Sequence, residues 1–221
     1  MYIYSKFYIQ KEIVINILKI SKKSFLYPQM LKNIYQIPEN LYIIGDTANI
    51  NKKCISIVGM RDSTKNGEYI TRKLAYNLAK KGYVIVSGLA KGIDRNAHIG
   101  ALMANGRTIA VLGHGLDRIY PKENTILAKQ ILRKRGTLVT EYSIFDKIIP
   151  SNFVARNRII SGLSYATIVI EAKEKSGALI TADFALEQGR EVYAIPGNIG
   201  DVCHVGCNKL IKEGANILIQ V

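Results

Sequence analysis

The sequence lacks any apolar run long enough to cross a membrane, and it contains few cysteines. Its N-terminal apolar run, Ile13 to Leu18, is bounded by Lys11, Glu12 and Lys19. The run is therefore shorter than the roughly 18 apolar residues that a membrane span needs. The segment also lacks the order of basic, apolar and cleavage regions that a signal peptide has. The cysteines are three, an odd number, so we do not expect a disulfide framework. These absences favour a cytoplasmic protein that does not insert into a membrane.

Motifs for dinucleotides, metals and catalysis are also missing. The segment that follows the first predicted strand, Gly59 to Thr64, does not supply G-x-G-x-x-G. The run from Cys203 to Cys207 offers no fourth metal ligand at a recognisable spacing. His98 falls within a helical pattern, where we interpret it as a surface or packing residue, and His114 falls in a glycine turn. We therefore expect no cofactor, no metal and no catalytic residue, and a protein that is not an enzyme.

Positive charge is what the chain has in excess. Its 221 residues include 31 Lys and Arg against 17 Asp and Glu, a formal net charge of +14. Hydrophobic residues make up 48% and no repetitive tract is present, which predicts one large folded domain with a short extension. The charge favours a partner with a phosphate backbone, the alternative being a merely solvated basic surface.

Short β-branched runs alternate with amphipathic stretches from Cys54 onward. This alternation predicts an α/β, Rossmann-like fold whose mainly parallel sheet is covered by helices on both faces. One predicted helix, Asn66 to Lys81, ends at Gly82. We expect residues 1–50 to form a short N-terminal lead-in with a helix over Glu12 to Ile20, and residues 51–221 to form the Rossmann-like domain. The predicted strands are Ile55 to Val58, Tyr83 to Val86, Thr108 to Leu112, Leu138 to Thr140, Thr167 to Ile170 and Val192 to Ile195, and the last unit is Lys209 to Ile219.

Glycines follow the first three predicted strands, at Gly59, Gly88 and Gly113. Ligands of such sheets sit at the carboxyl ends of the strands, and glycine lets backbone N–H groups approach a phosphate there. The alternative is that these glycines only allow tight turns. Ser176 and Gly177 can again present N–H groups at a helix start, and the acidic residues from Glu171 onward are expected to cap helices or pair with arginines.

Basic and aromatic residues alternate farther along the chain. Lys122 stands at a helix start, and Phe153 precedes Arg156 and Arg158. Single strands suit such a pattern, because phosphates need positive charge and an unstacked base needs a ring face. Arg156 and Arg158 are two residues apart on a helix and point in different directions. One of them, which we take to be Arg156, then faces the ligand while the other ties the fold together.

Several motifs together resemble the DNA-processing protein A (DprA/Smf) family, and the resemblance covers about three quarters of the chain, from Cys54 to Ile219. The lead-in also looks like the segment that precedes this domain in the family. The motifs are Ile57-Val58-Gly59-Met60-Arg61, Ser87-Gly88-Leu89-Ala90-Lys91-Gly92-Ile93-Asp94, Gly113-His114-Gly115-Leu116-Asp117, Tyr120-Pro121, Arg156-Asn157-Arg158-Ile159-Ile160 and Ser176-Gly177.

The resemblance implies an extended Rossmann fold, a homodimer, binding of single-stranded DNA and assistance in loading RecA recombinase during natural transformation and recombination. Arg61 matches the family's DNA-binding arginine, Lys122 a basic residue after Tyr-Pro, and Phe153 an aromatic that stacks on a base. The expected nucleic-acid-binding residues are Gly59, Arg61, Gly88, Lys91, Lys122, Phe153, Arg156, Asn157, Ser176 and Gly177.

The chain departs from the family pattern beside Phe153. Pro150 stands where some members carry a lysine, for which Lys147 is a candidate substitute, and Val154 replaces a common proline. Two alternatives stay open. One is an enzyme of the lysine-decarboxylase-like Rossmann group that binds or hydrolyses nucleotides, although the glycine cluster and glutamate of that group are missing from Glu171 to Thr181. The other is a regulator that binds a mononucleotide at the same glycine-rich strand ends.

Overall fold

The computed structural model describes residues 2–8 and 14–220, and a ten-stranded sheet is its centre, in the order β1-β2-β3-β7-β6-β5-β4-β8-β9-β10. Six α-helices and three short 3-10 helices connect the strands. The strands are β1 Tyr2–Tyr8, β2 Val14–Ser21, β3 Asn40–Gly45, β4 Cys54–Val58, β5 Val84–Ser87, β6 Thr108–Val111, β7 Thr137–Thr140, β8 Ala166–Val169, β9 Glu191–Ala194 and β10 Asn216–Ile217. The helices are α1 Lys65–Lys80, α2 Ile93–Met103, α3 Thr125–Arg133, α4 Pro150–Gly162, α5 Gly177–Glu187 and α6 Val205–Lys212.

The strands from β4 to β10 are parallel to one another and wind in two directions. From β4 the chain moves outward through β5, β6 and β7, then returns to place β8 on the other side of β4 and continues to β9 and β10. Doubly wound sheets of this kind have a crevice where the winding reverses, at the carboxyl ends of the strands. Here that switch point lies between β4 and β8, and the predicted Rossmann-like fold is confirmed.

Both faces of the sheet are covered, because successive side chains of a strand point to opposite sides. Ile57 packs with buried residues of α1 and α2, whereas its neighbour Val58 packs with residues of α4, α5 and α6. Helix α3 packs with α2 over the outer part of the first face. None of the helices in the described ranges is long and apolar enough to cross a membrane.

The element boundaries follow the sequence pattern closely. Each of the six predicted strands begins and ends within one residue of an observed strand, and the predicted helix Asn66 to Lys81 is α1, Lys65–Lys80. Gly82 follows α1 with a φ of +89°, the left-handed conformation expected of a glycine at a helix end. The last predicted unit contains the second half of α6 together with β10.

The helix predicted over Glu12 to Ile20 is wrong for its described part, which is strand β2, Val14–Ser21. Glu12 and Ile13 lie outside the described residues. Strand β2 pairs antiparallel with β3, which pairs antiparallel with β7. Ile17 and Ile20 are buried in clusters on opposite faces of the sheet, as residues three apart on a strand are. Pairing with β3 therefore makes this short apolar run a strand, and the lead-in extends the same sheet.

His98 is a packing residue, as the sequence analysis proposed. Its ring is fully buried, and Nδ1 lies 2.7 Å from Oγ1 of Thr108, whose hydroxyl donates to the carbonyl oxygen of Ile85. Since that proton is already used, Nδ1 carries a hydrogen and donates to Thr108. Burial lowers the pKa of His98 to about 3, so the imidazole is neutral in the folded protein.

This buried imidazole predicts that acid destabilises the protein well above the pKa of His98 in the fold. Below pH about 6.5 the His98 imidazole becomes protonated in the unfolded chain but stays neutral in the folded chain. The free energy of unfolding therefore falls as the pH falls from 6.5 towards 3. Between pH 6.5 and 5 the loss from His98 is on the order of 2 kcal/mol. Urea unfolding of wild type and His98→Gln at both pH values measures it. The variant should show a shallower pH dependence, and equal slopes would contradict the assignment.

Candidate nucleic-acid interface

A cleft of about 450 Å³ lies at the carboxyl edge of the sheet, at the switch point between β4 and β8. The end of β4, helix α4 and the first turn of α5 form its walls. Seven of the ten predicted nucleic-acid-binding residues line it, namely Gly59, Arg61, Phe153, Arg156, Asn157, Ser176 and Gly177. The structure thus brings together residues that are up to 118 positions apart, from Gly59 to Gly177.

Arg61 is exposed at the mouth of the cleft, on a loop that three sets of hydrogen bonds hold in place. The N–H of Met60 donates to the carbonyl oxygen of Glu171 (2.9 Å), and the N–H of Ile93 donates to that of Met60 (3.1 Å). The buried Glu171 carboxylate accepts from the N–H (3.0 Å) and the hydroxyl of Thr64, which caps α1. The expectation that the acidic residues from Glu171 onward cap helices or pair with arginines is not met by Glu171, which binds the capping residue Thr64 instead. The effect of this contact is to fix the loop that presents Arg61.

Arg156 requires a correction, because the sequence analysis expected it to face the ligand. Its side chain is buried, and its guanidinium donates to the carbonyl oxygens of Gly88 (2.8 Å) and Val111, which end β5 and β6. A Cβ on residue 88 would lie 2.6 Å from this guanidinium. Glycine is therefore needed at position 88 to admit Arg156, rather than to bind a phosphate. Burial lowers the pKa of Arg156 to about 10, so it stays charged at neutral pH.

Asp94 is a site residue that the sequence analysis missed, although it belongs to the motif after the second strand. Its carboxylate accepts hydrogen bonds from the N–H groups of Gly88 (3.1 Å) and Ala90 (3.4 Å). Burial raises the pKa of this carboxyl, while the charge of Arg156 and the two N–H donors act in the opposite direction. The N–H of Gly88 is thus already donated within the protein, which corrects its expected role as a phosphate donor.

Arg158 ties the fold together, as predicted for one of the two arginines. Its guanidinium makes a two-pronged ion pair with Glu141, both N···O distances being 2.6 Å. A further bond runs to the carbonyl oxygen of Gln36 in the lead-in (3.0 Å). Paired contacts of this kind fix geometry as well as charge. Arg158 therefore joins α4 to the β7–α4 loop and to the lead-in.

Phe153 and Tyr120 form an aromatic pair at the cleft. The ring centroids are 5.5 Å apart, and the Arg156 guanidinium lies 5.9 Å from the Phe153 centroid. Phe153 packs against Gly113, at the end of β6, and His114 lies on its other side at 6.3 Å. Tyr120 is 46% exposed, and the sequence analysis did not include it, although the Tyr120-Pro121 motif pointed to it. Together the rings offer a half-exposed surface on which a base can stack.

The N-terminus of α5 faces the same cleft. Ser176 caps the helix, its Oγ accepting from the N–H of Ala178 (3.3 Å), and Gly177 is exposed with open space where a Cβ would be. Asn157 is buried and donates to the carbonyl oxygen of Gly177 (3.3 Å), which orients this first turn. The uncapped N–H groups and dipole of a helix start attract anions. A phosphate between Arg61 and α5 would meet positive potential from both sides.

The two predicted lysines lie farther out. Lys91 lines a smaller adjoining pocket with Gly88, on the other side of Phe153, and its Nζ lies 3.0 Å from a carboxylate oxygen of Glu123. Lys122 is exposed on the short 3-10 helix Lys122–Asn124 and does not line either pocket. Lys147 is exposed on the β7–α4 loop. These three lysines can contribute charge around the cleft rather than within it.

The segment from Cys203 to Cys207 is built into the fold. His204 Nδ1 lies 2.7 Å from an Asp201 carboxylate oxygen, and Cys207 is buried with its Sγ 3.7 Å from the carbonyl oxygen of Ile170. Burial raises the pKa of the Cys207 thiol to about 12, whereas metal binding requires the thiolate. Across the residues that the structure describes, no group of three or more His, Cys, Asp and Glu side chains could hold a metal ion.

The fold and the site define a class: a Rossmann-like protein whose switch-point cleft combines positive charge, a helix N-terminus and stacked aromatic rings. The chain belongs to the DNA recombination-mediator protein A family, whose model matches residues 18–221. A curated relative, DNA processing protein DprA of Bacillus subtilis, is 46% identical over 205 residues, which is 92% of this chain and 68% of the relative. The expected family resemblance is confirmed.

Two solved structures share the fold. DNA processing protein A of Streptococcus pneumoniae superposes with a TM-score of 0.86 at 42% identity, covering 91% of this chain and 71% of that one. DNA processing protein A of Helicobacter pylori, whose structure was described for its single-stranded DNA binding mode, has a TM-score of 0.83 at 30% identity, with coverage of 92% and 91%. The chain spans only 50% and 54% of two other curated relatives.

Substitution of the two arginines of the cleft should have different effects on the free energy of unfolding. Arg156→Met removes a buried charge that holds two carbonyl groups and interacts with Asp94, which should cost about 3 kcal/mol of unfolding free energy or prevent folding. Arg61→Met should leave the unfolding free energy close to that of wild type, because Arg61 is exposed. Urea unfolding followed by circular dichroism measures both. A stable Arg156→Met protein would contradict the structural role assigned to Arg156.

Proposed function

We propose that this chain binds single-stranded DNA in the switch-point cleft, protects the strand, and assists in loading RecA recombinase onto it in natural transformation and recombination. The observation that carries the proposal is the convergence of three groups on one cleft. Arg61 supplies positive charge, α5 supplies a helix N-terminus, and Phe153 with Tyr120 supplies a stacking surface. This combination suits an unpaired strand, whose phosphates and base faces are both accessible.

The relatives support the same proposal. The family model is described as a DNA recombination-mediator protein, and the Helicobacter pylori relative is described as binding single-stranded DNA. The net charge of +14 adds an attraction for a phosphate backbone that does not depend on sequence. We expect binding with little preference among bases, since neither charge nor ring stacking distinguishes them strongly.

Binding rather than catalysis is the function we propose for the cleft. Asp94 is the carboxylate among the described residues that line it, and its Oδ2 already accepts two backbone N–H groups. Glu171, at the end of β8, is likewise bound to Thr64. Neither carboxylate is poised as a general base towards a ligand. A mononucleotide could still occupy the cleft, and competition by free thymidine monophosphate against labelled oligo-dT tests that alternative.

The cleft predicts two distinguishable losses of DNA binding. Arg61→Ala should weaken binding to oligo-dT and reduce the slope of log affinity against log salt by about 0.7, because one phosphate contact is lost. Phe153→Ala should weaken binding about tenfold without changing that slope, because stacking on a base involves no counterion release. Fluorescence anisotropy titrations at several salt concentrations measure both quantities, and wild-type affinity should fall steeply with salt.

Arg133→Ala, which removes an arginine from the last turn of α3, is the control for loss of one positive charge. It should leave affinity nearly unchanged, and duplex DNA should bind wild type more weakly than oligo-dT does. If Arg61→Ala and Phe153→Ala bind oligo-dT as wild type does, the strand does not lie in this cleft. Tight binding that is independent of salt would also rule out the proposed phosphate contacts.

Partners and location follow from the family as proposals. We propose a homodimer, which sedimentation equilibrium of the purified chain would test, and a cytoplasmic location, where its free cysteines would stay reduced. RecA is the proposed recipient of the bound strand, as the recombination-mediator description of the family suggests.

The transfer to RecA can be measured separately from DNA binding. Wild type should accelerate RecA assembly on a strand coated with single-strand-binding protein, and Arg61→Ala at the same concentration should accelerate it less, because it binds the strand more weakly. Filament assembly can be followed by RecA-dependent ATP hydrolysis. Equal acceleration by both proteins would separate the transfer from the cleft, and no acceleration by wild type would refute the mediator function.

A further inference from the structure

A second groove of about 450 Å³ lies at the corner where β2 meets β3, well away from the cleft along the sheet. Lys19, Lys23, Phe25 and Leu26 are among the residues that line it, and no acidic residue is among the lining residues that the structure describes. Phe25 is 86% exposed. A phenylalanine in this state gains little from burial in its own fold. Its ring is instead available to a partner beside two lysines.

The groove opens on the same edge of the sheet as the cleft. Strand β3 is antiparallel to both β2 and β7, so β2 runs in the same direction as the parallel strands and ends at their carboxyl edge. The register agrees, because Ser21 at the end of β2 pairs with Asn40, and Tyr42 pairs with Thr140 at the end of β7. Five strand spacings separate β2 from β4, or about 24 Å.

A series of contacts lies between the two sites along that edge. Phe153 packs over Gly113, just after β6, and in the β7–α4 loop the Ser143 Oγ lies 3.4 Å from the Tyr42 hydroxyl. The Lys19 Nζ lies 5.6 Å from the centroid of the Tyr42 ring. Lys19 is in turn a wall of the groove with Phe25. Lys147 is exposed on the intervening loop.

We propose that this groove is a second contact site for the same single strand, with Phe25 as a stacking ring and Lys19 and Lys23 as phosphate contacts. This inference rests on the proposed function and extends it, since it predicts that the bound strand runs from the switch point towards β2. Charge complementarity selects a polyanion over an apolar partner. A flexible strand with exposed bases fits a single lysine-flanked ring better than a stiff duplex does.

Oligonucleotide length separates the groove from the cleft. A strand of about four nucleotides should occupy the cleft alone, because it is too short to span the distance to the groove, whereas one of about twenty should reach both sites. Phe25→Ala should weaken binding of the long strand about tenfold and leave binding of the short strand unchanged. Lys23→Gln should reduce the salt slope for the long strand by about 0.7 and leave the slope for the short strand unchanged.

Matched controls lie on the opposite edge of the sheet. Tyr165, which directly precedes β8, is an exposed aromatic, and Lys81, which follows α1, is an exposed lysine. Tyr165→Ala and Lys81→Gln should leave binding at both lengths unchanged. All four substitutions are at exposed side chains, so unfolding midpoints near that of wild type are expected and are measured alongside.

The outcomes distinguish this inference from the proposed function. Loss for the long strand alone supports the groove. If Phe25→Ala and Lys23→Gln bind both lengths as wild type does, the groove is not a DNA-contact site, and the proposal for the cleft is unaffected. The same conclusion follows if these variants change from dimer to monomer without a change in DNA binding, because a second copy of the chain would then be the occupant of the groove. Equal losses at both lengths also overturn the inference. If wild type binds neither length, the proposed function itself fails.

Discussion

The buried guanidinium of Arg156 is the interaction on which the site depends. It binds the carbonyl group of Gly88, just after β5, and that of Val111, the last residue of β6. It also interacts with Asp94, which accepts from N–H groups of the β5–α2 loop. Burying an ionised side chain is unfavourable unless it is paired and hydrogen-bonded. The chain meets that condition with two backbone carbonyl groups, the Asp94 carboxylate and the Asn157 side chain, whose Oδ1 accepts from Nε (3.3 Å). The charge therefore serves to fix the walls of the cleft.

From this fixed frame the ligand-facing groups project outward. Phe153 lies one helical turn before Arg156, against the end of β6, and Arg61 extends from a loop held by Glu171 and α2. The first turn of α5 is oriented by Asn157, the neighbour of Arg156. Groups preorganised in this way lose little conformational freedom when a ligand binds. Buried polar residues thus orient the cleft, and exposed or half-exposed residues would contact the strand.

Sequence reasoning predicted the parallel core well, because β-branched runs and helix-ending glycines are local signals. It failed for β2, although this segment is rich in β-branched residues, because its pairing with β3 joins segments about 20 residues apart and cannot be read from a short apolar run. It also assigned Arg156 and Gly88 to the ligand, since a charge or a glycine after a strand has the same appearance whether it binds a phosphate or another part of the chain. Asp94 and Tyr120 were within recognised motifs, but their contacts join distant segments that spacing alone does not reveal.

The central claim is that a single strand lies at the carboxyl edge of the sheet, with a base against the Phe153 and Tyr120 rings. Photo-cross-linking with oligo-dT that carries 5-iodouracil, followed by mass spectrometry of the adducts, tests this location directly. The account predicts that Phe153 or Tyr120 carries the adduct. Adducts confined to Tyr165 or Tyr193, which line a separate pocket at the opposite edge of the sheet, would contradict it.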